Sequence, residues 1–339
     1  MGVTTAVPEP AGADGGPAAV LAVDAGNSKT DVAVIGHDGS VLAAARGAGF
    51  QPPKAGLDRA IDTLASAVGE ALAAAGVRGG VEHVSACLAN ADLPVEEAEL
   101  TAALHARGWG RTTEVRNDTF AILRAGLDEP RGVAVVCGAG INCVGMLPDG
   151  RTARFPAIGK ISGDWGGGLG LAEESLWSAA RAEDGRGAPT ALARTLPAHF
   201  GLDSMYALIE ALHRGHLPYA RTHELTPVLF ATSLAGDDVA RSLVRRLAEE
   251  VVSMSTVALG RLGLLDEAAP VLLGGSVLAA RHPELDGQIA ELLAVKAPKA
   301  VIEVVTAPPV LGAALLGFDH TGAPPEARAK LRAHYAAGV

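Results

Sequence analysis

The sequence contains few cysteines, and it carries no excess of positive charge. Cys87, Cys137 and Cys143 are odd in number and too few for a disulfide framework, which is typical of a protein in the reducing cytoplasm. They have neither a C-x-x-C spacing nor a neighbouring histidine, so they do not indicate a metal site. With 28 lysine and arginine residues against 38 acidic ones, the chain lacks the basic patch that a nucleic-acid or anionic-membrane partner would need.

Long apolar runs and aromatic residues are also scarce. No apolar stretch reaches the roughly 18 residues that a membrane-spanning helix needs. Aromatic residues make up 4% of the chain and hydrophobic residues 49%, so the core must consist mainly of alanine, valine and leucine. A length of 339 residues suits two domains better than one compact core. Residues 1–19 lack the basic start and apolar core of a signal peptide, and are predicted to form a disordered tail.

The stretch LAVDAGNSKTDVAVIGHDGS, residues 21–40, predicts a strand, a tight loop, a second strand and an Asp-Gly turn. Asp24 ends the first strand. The loop residues after it are small, tolerant of left-handed backbone, hydroxyl-bearing or cationic: Gly26, Asn27, Ser28, Lys29 and Thr30. Free N–H groups and hydroxyls at such a tip suit a phosphate, and the carboxylate suits its Mg²⁺, held through water. An ordinary edge hairpin is the alternative.

Residues 133–150 repeat the same pattern. The small-residue loop Gly138, Ala139 and Gly140 lies between two apolar strands, and a second Asp-Gly turn follows at residues 149–150. Internal repeats of this kind indicate duplicated structural units. Two such hairpins, each opening a domain of similar size, predict two loops that face each other across a cleft and hold the β- and γ-phosphates of a nucleotide.

Strand and helix patterns alternate after each hairpin. In the first half they predict a third strand at residues 41–45, a helix at 57–75, a strand at 81–88 and a helix at 96–107, followed by a short strand at Val115. Asn117 and Asp118 are predicted to cap the next helix. The order predicts a mixed sheet covered by helices. The predicted domains are residues 20–118 and 119–323.

Glycine-rich segments mark the second half. Residues 157–170 contain too many glycines for a regular element, and they lead into a predicted helix over 171–182. Asp164 and Trp165 within this loop indicate contact with a polar ligand, because a helix N-terminus follows. Residues 271–278, VLLGGSVL, predict a strand that ends in a glycine pair, where an adenine ring or a closely packed helix can lie. Further helices are predicted at residues 190–196, 205–214, 235–263, 310–316 and 324–337.

Four of these motifs together resemble those of the BadF/BadG/BcrA/BcrD-type ATPases. Within that family the chain looks like the N-acetylglucosamine kinases of the actin-like, sugar kinase and Hsp70 superfamily. DAGNSKTD is similar to the first phosphate motif, GAGINC to the second, GDWGGG to the GDEGS loop and LLGGSVL to the adenosine motif. The resemblance covers residues 20–320 and implies two actin-like (ribonuclease H-like) α/β domains, each with a mixed five-stranded sheet, around a central cleft. It also implies a homodimer, and a C-terminal helix that returns to the first domain.

The resemblance assigns roles to individual residues. Asp24 would hold magnesium, and Asp118 falls where the family has its catalytic base. The residues that match the phosphate-binding positions are Gly26, Asn27, Ser28, Lys29, Thr30, Gly138, Ala139 and Gly140. Those that match the adenosine pocket are Gly274, Gly275, Ser276 and Gly312. Those that match the sugar-binding positions are Asn90, Asp92, Asn142, Gly163 and Asp164.

The chain departs from the family pattern at three of these positions. Ala139 and Ile141 stand where the second phosphate motif has hydroxyl residues, so that loop can offer only backbone N–H groups. Trp165 replaces the glutamate of the GDEGS loop, which removes a possible sugar ligand and adds a flat apolar face. These changes leave the nucleotide assignment intact and put the identity of the sugar in doubt.

The activity implied is phosphorylation of an amino sugar by ATP and Mg²⁺. Asp118 would accept a proton from a sugar hydroxyl, expected to be O6 of a hexosamine, as that oxygen attacks the γ-phosphorus. Its place at a helix N-terminus is expected to keep it ionised; a simple helix cap is the alternative. N-acetylglucosamine or glucosamine is the first expectation, and N-acetylmuramate is another.

Three other classes of protein share parts of this pattern. An ATP-driven activator of a 2-hydroxyacyl-CoA dehydratase would need a cysteine pair at its dimer axis for an iron–sulfur cluster, and the cysteines here fall in predicted strands or the phosphate loop. A chaperone ATPase would need a peptide-binding domain after residue 320. A sugar-responsive repressor would need a helix-turn-helix before the first hairpin. The sequence favours the kinase over all three.

Overall fold

The computed structural model describes residues 18–337, which form two five-stranded sheets and the helices packed on them. The tail predicted over residues 1–19 lies outside this range, except that Ala18 and Ala19 already belong to the first strand. Across the described residues, no helix combines the length and the apolar character needed to cross a membrane.

The first sheet has the strand order β3-β2-β1-β4-β5. Strand β2 pairs antiparallel with β1 and with β3, whereas β4 lies parallel to β1 and to β5. The carboxyl ends of the three parallel strands therefore meet at one edge, which places the residues after them close together. The strands are β1 Ala18–Ala25, β2 Lys29–Gly36, β3 Val41–Ala48, β4 Val81–Leu88 and β5 Gly110–Asn117.

The second sheet repeats this layout, with the order β10-β9-β6-β7-β8. A meander of antiparallel strands (β6, β7 and β8) is again followed by parallel strands. The two mixed sheets confirm the predicted fold class and explain the repeated sequence pattern. The strands are β6 Gly132–Cys137, β7 Ile141–Met146, β8 Thr152–Arg154, β9 Pro270–Gly274 and β10 Val301–Val304.

Helices cover both sheets. Those of the first half are α1 Pro52–Ala55, α2 Leu57–Ala74, α3 Pro94–His105 and α4 Thr119–Gly126. Those of the second half are α5 Gly167–Glu183, α6 Leu192–His199, α7 Met205–His213, α8 Leu225–Leu234, α9 Asp238–Leu262, α10 Gly275–Ala279, α11 Pro283–Lys296, α12 Pro309–Thr321 and α13 Pro325–Ala336.

Several elements differ from their predicted extents. Helix α5 begins at Gly167, four residues earlier than expected, because the glycines of this segment pack closely against a neighbouring loop. The predicted helix at residues 235–263 begins at Asp238, where the Asp237 side chain accepts a hydrogen bond from Ala240 N–H at 2.9 Å. Strand β5 is eight residues long although its exposed polar residues gave little strand signal. The sequence analysis did not predict α8 or α11.

Helix α12 packs between α4 and the first sheet. A Cβ atom at Gly317 would lie 2.5 Å from the Val20 side chain on β1, and the Ser85 hydroxyl on β4 donates to the Ala313 carbonyl at 2.7 Å. The buried Arg124 side chain of α4 donates two hydrogen bonds to Asp319 at 2.7 and 3.2 Å. Residues of β1, α4, β6, β7, β9 and α12 therefore share one hydrophobic core.

Helix α13 follows and lies against the β2–β3 turn. Lys330 Nζ donates to an Asp38 carboxylate oxygen at 2.6 Å. Gly39 has φ +83°, and a Cβ atom there would lie 2.0 Å from the Ala327 carbonyl oxygen. The last helix of the described range thus contacts the first sheet, which is where the resemblance places it.

Candidate active site

The first loop of the site is the tip between β1 and β2. Gly26 N–H donates to the Lys29 carbonyl at 2.9 Å and closes the turn. The Gln51 side-chain amide donates to the Asn27 carbonyl and holds the loop from the other side. The N–H groups of Asn27 and Ser28 form no backbone hydrogen bond within residues 18–337, and both residues are exposed. The tip therefore has two N–H groups to offer to a ligand.

The second loop, residues 138–140, packs on the start of α5. Gly168 and Leu169 donate their N–H groups to the carbonyls of Gly138 and Ala139, at 2.7 and 3.1 Å. Helix α5 therefore has fewer free N–H groups for a polar ligand than the sequence analysis expected. The N–H groups of Ala139 and Gly140 make no backbone hydrogen bond to the described part of the chain, so the loop offers backbone donors despite the loss of the family's hydroxyls.

The two loops lie on one cavity of about 260 Å³. From the first loop it receives Asn27, and from the second Gly138, Ala139 and Gly140. The polar side chains around it come from both halves of the chain: Asn90, Asp92, Asn117, Asp118 and Asn142. The structure therefore brings together the predicted base, part of the predicted phosphate set and three of the five predicted sugar ligands.

Asp118 follows strand β5 and lies at the N-terminus of α4. The side chain that caps this helix is Asn117, whose Oδ1 accepts from Thr119 N–H at 3.0 Å. Burial raises the pKa of Asp118 to about 6, although hydrogen bonds at the helix N-terminus lower it. The helix N-terminus was expected to keep Asp118 ionised, and burial works against it. At neutral pH the carboxylate is still mainly deprotonated, which a general base requires.

Asp24 is the last residue but one of β1, at the same edge of the sheet, and is 9% exposed. Burial, together with the negative charges of Asp118 and Asp31, raises its pKa to about 7. Lys29 lowers it only weakly, since its ammonium group lies 2.7 Å from Asp31. A buried carboxylate beside two others is stabilised in its charged form by a divalent cation, so the donor set fits Mg²⁺.

A chain of side-chain amides crosses the cavity. Asn142 Nδ2, on β7 of the second sheet, donates to Asn117 Oδ1 at 3.1 Å. Asn117 Nδ2 donates in turn to Asp92 Oδ1 at 2.8 Å. Asn90 has φ +64°, and its amide donates to Asn27 Oδ1 at 3.2 Å. These contacts orient the predicted sugar ligands toward one another, and Asn117 connects the two halves of the site.

Three further residues, which the sequence motifs do not assign to the site, support this arrangement. Arg154 on β8 donates to Glu97 Oε2 at 2.6 Å and to the Asp92 carbonyl at 3.0 Å. Glu97 Oε1 accepts from Asn117 N–H at 3.0 Å. Asn117 was named only as a helix cap, although its place beside Asp118 could have suggested a role in the site. Arg154 and Glu97 had no motif around them, because they meet through the tertiary fold alone.

Of the glycine-rich loop, residues 157–170, Ala157 lines this cavity and the rest lies beside it. Asp164 Oδ2 accepts from the Ser162 hydroxyl at 2.6 Å and from Gly159 N–H at 2.9 Å, and Gly163 is exposed with φ +86°. Asp164 and the buried Trp165 line a second cavity of about 270 Å³ that shares residues 139–141 and Ala157 with the first. The Trp165 ring is covered by the Arg246 guanidinium, 4.3 Å from the ring centre.

Two residues of the predicted nucleotide site are explained by packing. Thr30 is 1% exposed, and its hydroxyl donates to the Ala48 carbonyl at 2.8 Å, so it does not reach the cavity. Gly312 is buried, and a Cβ atom there would lie 1.7 Å from the Ala121 carbonyl oxygen of α4. Sheet pairing and helix packing account for these two residues, and their assignments to ATP stay predictions.

The glycine pair at the end of β9 is also closely packed. Gly275 has φ +81°, and a Cβ atom there would lie 2.4 Å from the Cys137 carbonyl oxygen. A Cβ atom at Gly274 would lie 2.8 Å from the Ile122 side chain. Ser276 is exposed at the start of α10. Tight packing accounts for both glycines, and an adenosine contact at this turn remains a prediction.

The comparisons with known proteins agree with this architecture. The BadF/BadG/BcrA/BcrD ATPase family matches residues 21–317, and the chain belongs to that family. The N-acetylmuramic acid/N-acetylglucosamine kinase of Clostridium acetobutylicum is 25% identical over 190 residues, which cover 56% of this chain and 62% of that protein. The match therefore spans less than two thirds of the length of that relative. The N-acetyl-D-glucosamine kinase of Dictyostelium discoideum is 25% identical over 282 residues, covering 74% of this chain and 86% of that protein.

Solved structures show the same fold. A Chromobacterium violaceum protein, provisionally assigned as an N-acetylglucosamine kinase, superposes with a TM-score of 0.65 at 21% identity, covering 88% of this chain and 98% of the other. A ROK family glucokinase from Streptomyces griseus, in complex with glucose and AMPPNP, gives a TM-score of 0.55 at 16% identity, with 88% and 98% covered. At these identities the likeness concerns the fold, and it confirms the predicted actin-like architecture.

Proposed function

We propose that the chain transfers the γ-phosphate of ATP to a hydroxyl group of an amino sugar. The observation that carries the proposal is the arrangement of the two loops. Each presents N–H groups without a backbone acceptor among the described residues, and both border the cavity that Asp118 lines. Unpaired N–H groups in tight loops bind phosphate oxygens, and a carboxylate beside them can accept the proton of an attacking alcohol.

Each group of residues in the site has a separate role in the proposed reaction. Asn27, Ser28, Ala139 and Gly140 bind phosphate oxygens through backbone N–H groups, and Asp118 accepts the proton of the sugar hydroxyl, O6 in a hexosamine. Asp24 holds Mg²⁺, which neutralises phosphate charge when bound. Closure of the two halves excludes water and so protects ATP from hydrolysis. The protein mainly aligns the reactants, as phosphoryl transfer requires.

The sugar is proposed from the side chains and from the relatives together. Asn90, Asp92 and Asn142 present amide and carboxylate groups that can exchange hydrogen bonds with several hydroxyls and with an N-acetyl group. We propose Asp164 as a further contact for the sugar, which would reach this residue through the adjoining cavity. The named activities of the Clostridium and Dictyostelium relatives favour N-acetylglucosamine, with N-acetylmuramate and glucosamine as the other substrates.

A panel of sugars in a coupled ADP-release assay tests the proposal. We expect phosphorylation of N-acetylglucosamine above that of glucose, and we expect Asn142→Ala to raise KM for the sugar roughly tenfold, the cost of one hydrogen bond of about 1.4 kcal/mol. KM for ATP is the internal control and should stay within about twofold. ATP hydrolysis without any phosphorylated amino sugar would reject the assignment.

The function of Asp24 gives a second prediction. Its raised pKa means that the folded state loses stability as pH rises from about 4 to about 7, since the carboxyl must ionise while buried. Asp24→Asn removes that cost. At pH 8 without Mg²⁺ the variant should therefore be more stable than the unmodified protein, by up to a few kcal/mol at about 1.4 kcal/mol per pKa unit, yet inactive.

Urea denaturation at pH 8, with and without Mg²⁺, measures this effect. Mg²⁺ should stabilise the unmodified protein and leave Asp24→Asn unchanged. Asp149→Asn, at an exposed turn, is the matched control and should behave as the unmodified protein does. If Asp24→Asn keeps both the Mg²⁺ response and the activity, Asp24 has no part in the metal site.

The structure disfavours a dehydratase activator. Cys87, Cys137 and Cys143 all lie in the described range, and all three are buried. Burial also raises the pKa of Cys137 to about 12, whereas cluster ligands are thiolates. A cluster shared between subunits needs accessible cysteines at the subunit interface. The homodimer implied by the family resemblance stays a prediction.

A further inference from the structure

We propose that His83, Glu114 and His320 form a binding site for a divalent transition-metal ion, with zinc as the expected metal. The three residues come from β4, β5 and the end of α12, outside the cavity described above. One possible ligand atom from each lies within 4.8 Å of those of the other two. Two imidazoles and a carboxylate are a common ligand set for zinc, with a fourth position open to water.

The backbone explains why these residues meet. His83 on β4 is paired in register with Thr112 on β5, and Glu114 is two residues further along β5. Gly317 on α12 lies close to β4 two residues after His83, where a Cβ atom added to the glycine would be 3.2 Å from Ser85 Cβ. His320 lies about one helical turn beyond Gly317, and this position places its side chain beside His83. The two imidazole rings are stacked with centroids 3.9 Å apart.

The hydrogen bonds of His83 leave one ring nitrogen prepared for a metal. His83 is 1% exposed, and its Nδ1 lies 2.8 Å from the Thr112 hydroxyl oxygen. The Thr112 hydroxyl is placed to donate to the Glu82 carbonyl at 3.3 Å, and we assign His83 Nδ1–H as the donor to the Thr112 oxygen. The proton is then absent from Nε2, which is buried and has no hydrogen-bond partner among the described residues.

An unpaired lone pair in such a place is costly without a ligand. A metal ion bound to Nε2 would remove that cost, and the bond from Nδ1 to Thr112 is the outer contact that typically orients a metal-bound imidazole.

The other two ligands can adjust. Tetrahedral zinc with bonds of about 2 Å needs donor atoms roughly 3.3 Å apart, so at least one side chain must move. His320 is exposed and can turn out of the stack, whereas His83 is fixed. Arg116 donates to Glu114 Oε1 at 2.9 Å, which leaves the second carboxylate oxygen for the metal. A bound ion would tie the end of α12 to the first sheet.

Isothermal titration of the full-length, EDTA-treated protein with ZnCl₂ tests the proposal. We expect one equivalent of zinc to bind, and His320→Ala and Glu114→Gln each to weaken binding roughly tenfold or more. Both residues are partly or fully exposed, so these variants should fold. His213→Ala, at an exposed position far along the chain on α7, is the matched control and should bind as the unmodified protein does.

Two further measurements identify the site. The titration is repeated in Asp24→Asn, because the carboxylates of the cavity could also bind zinc; the equivalent assigned to His83 should persist. Cobalt(II) should give visible absorption typical of tetrahedral nitrogen and oxygen ligation, and His320→Ala should abolish it. Absence of zinc binding, or equal affinities for His320→Ala and His213→Ala, would overturn the proposal. Kinase activity does not enter either outcome.

Discussion

Replacing Asp118 with asparagine should lower kcat roughly 10²- to 10⁴-fold while ATP and the sugar still bind. Asparagine has nearly the same shape, but its amide cannot take the proton of the attacking hydroxyl. It is also as good a helix cap as aspartate, so a purely structural role for Asp118 would leave turnover unchanged. Steady-state kinetics give kcat, and titration calorimetry gives the two affinities.

The pH dependence of the unmodified enzyme provides a check on the same residue. Because burial raises the pKa of Asp118 to about 6, kcat/KM should fall as the pH drops below about 6 and the carboxyl becomes protonated. Asp149→Asn should match the unmodified protein at every pH, since residue 149 lies at an exposed turn. Near-normal turnover of Asp118→Asn would remove Asp118 from the role of base.

The second large effect is expected at Gly312, and it concerns stability. Gly312→Ala would place its new Cβ atom 1.7 Å from the Ala121 carbonyl oxygen and 2.9 Å from the Ala125 backbone nitrogen. These are backbone atoms of α4 and cannot move aside singly, so α12 must shift away from α4. We expect a loss of about 3 kcal/mol or more in the free energy of unfolding, at the upper end of overpacking effects.

Gly69→Ala on α2 is the matched control, because nothing lies within 4 Å of its added Cβ atom. Alanine is a better helix former than glycine, so this variant should gain up to about 1 kcal/mol. Urea denaturation measures both. Should Gly312→Ala keep its stability and raise KM for ATP, the assignment of Gly312 to the adenosine pocket would be supported and the packing explanation would fail.

The predictable part of the molecule was the part with a repeating local pattern. The fold could be predicted from the hairpin around Asp24 and its copy around Gly138. Apolar strands joined by small-residue turns are compatible with few other structures. The role given to Asp118 came from the family resemblance and not from this pattern; in the structure the residue follows β5, at the edge where the parallel strands end. Helix α8 was missed because its apolar residues do not mark its buried face: Thr226, Thr232 and Ser233 are buried, whereas Leu234 is exposed.

The contacts between distant segments were not predictable in this way. Nothing in the sequence around Arg154 or Glu97 shows that they meet, and the Asn142–Asn117–Asp92 series appears only once two sheets face each other. Gly312 illustrates a different difficulty. A glycine near a family motif suggested a ligand surface, but the neighbour that excludes a side chain there is the backbone of α4. A glycine in the sequence indicates that there is little room for a side chain at that position. It does not indicate whether a ligand or another part of the chain occupies that room.

The position of α12 has a consequence for how the molecule denatures. Its side chains join elements of the first sheet, α4 and the second sheet in one hydrophobic core. Neither half can lose its structure without exposing apolar surface of the other, so the halves are thermodynamically coupled. Severing the chain between the two halves would therefore leave two fragments that each lack part of their interior.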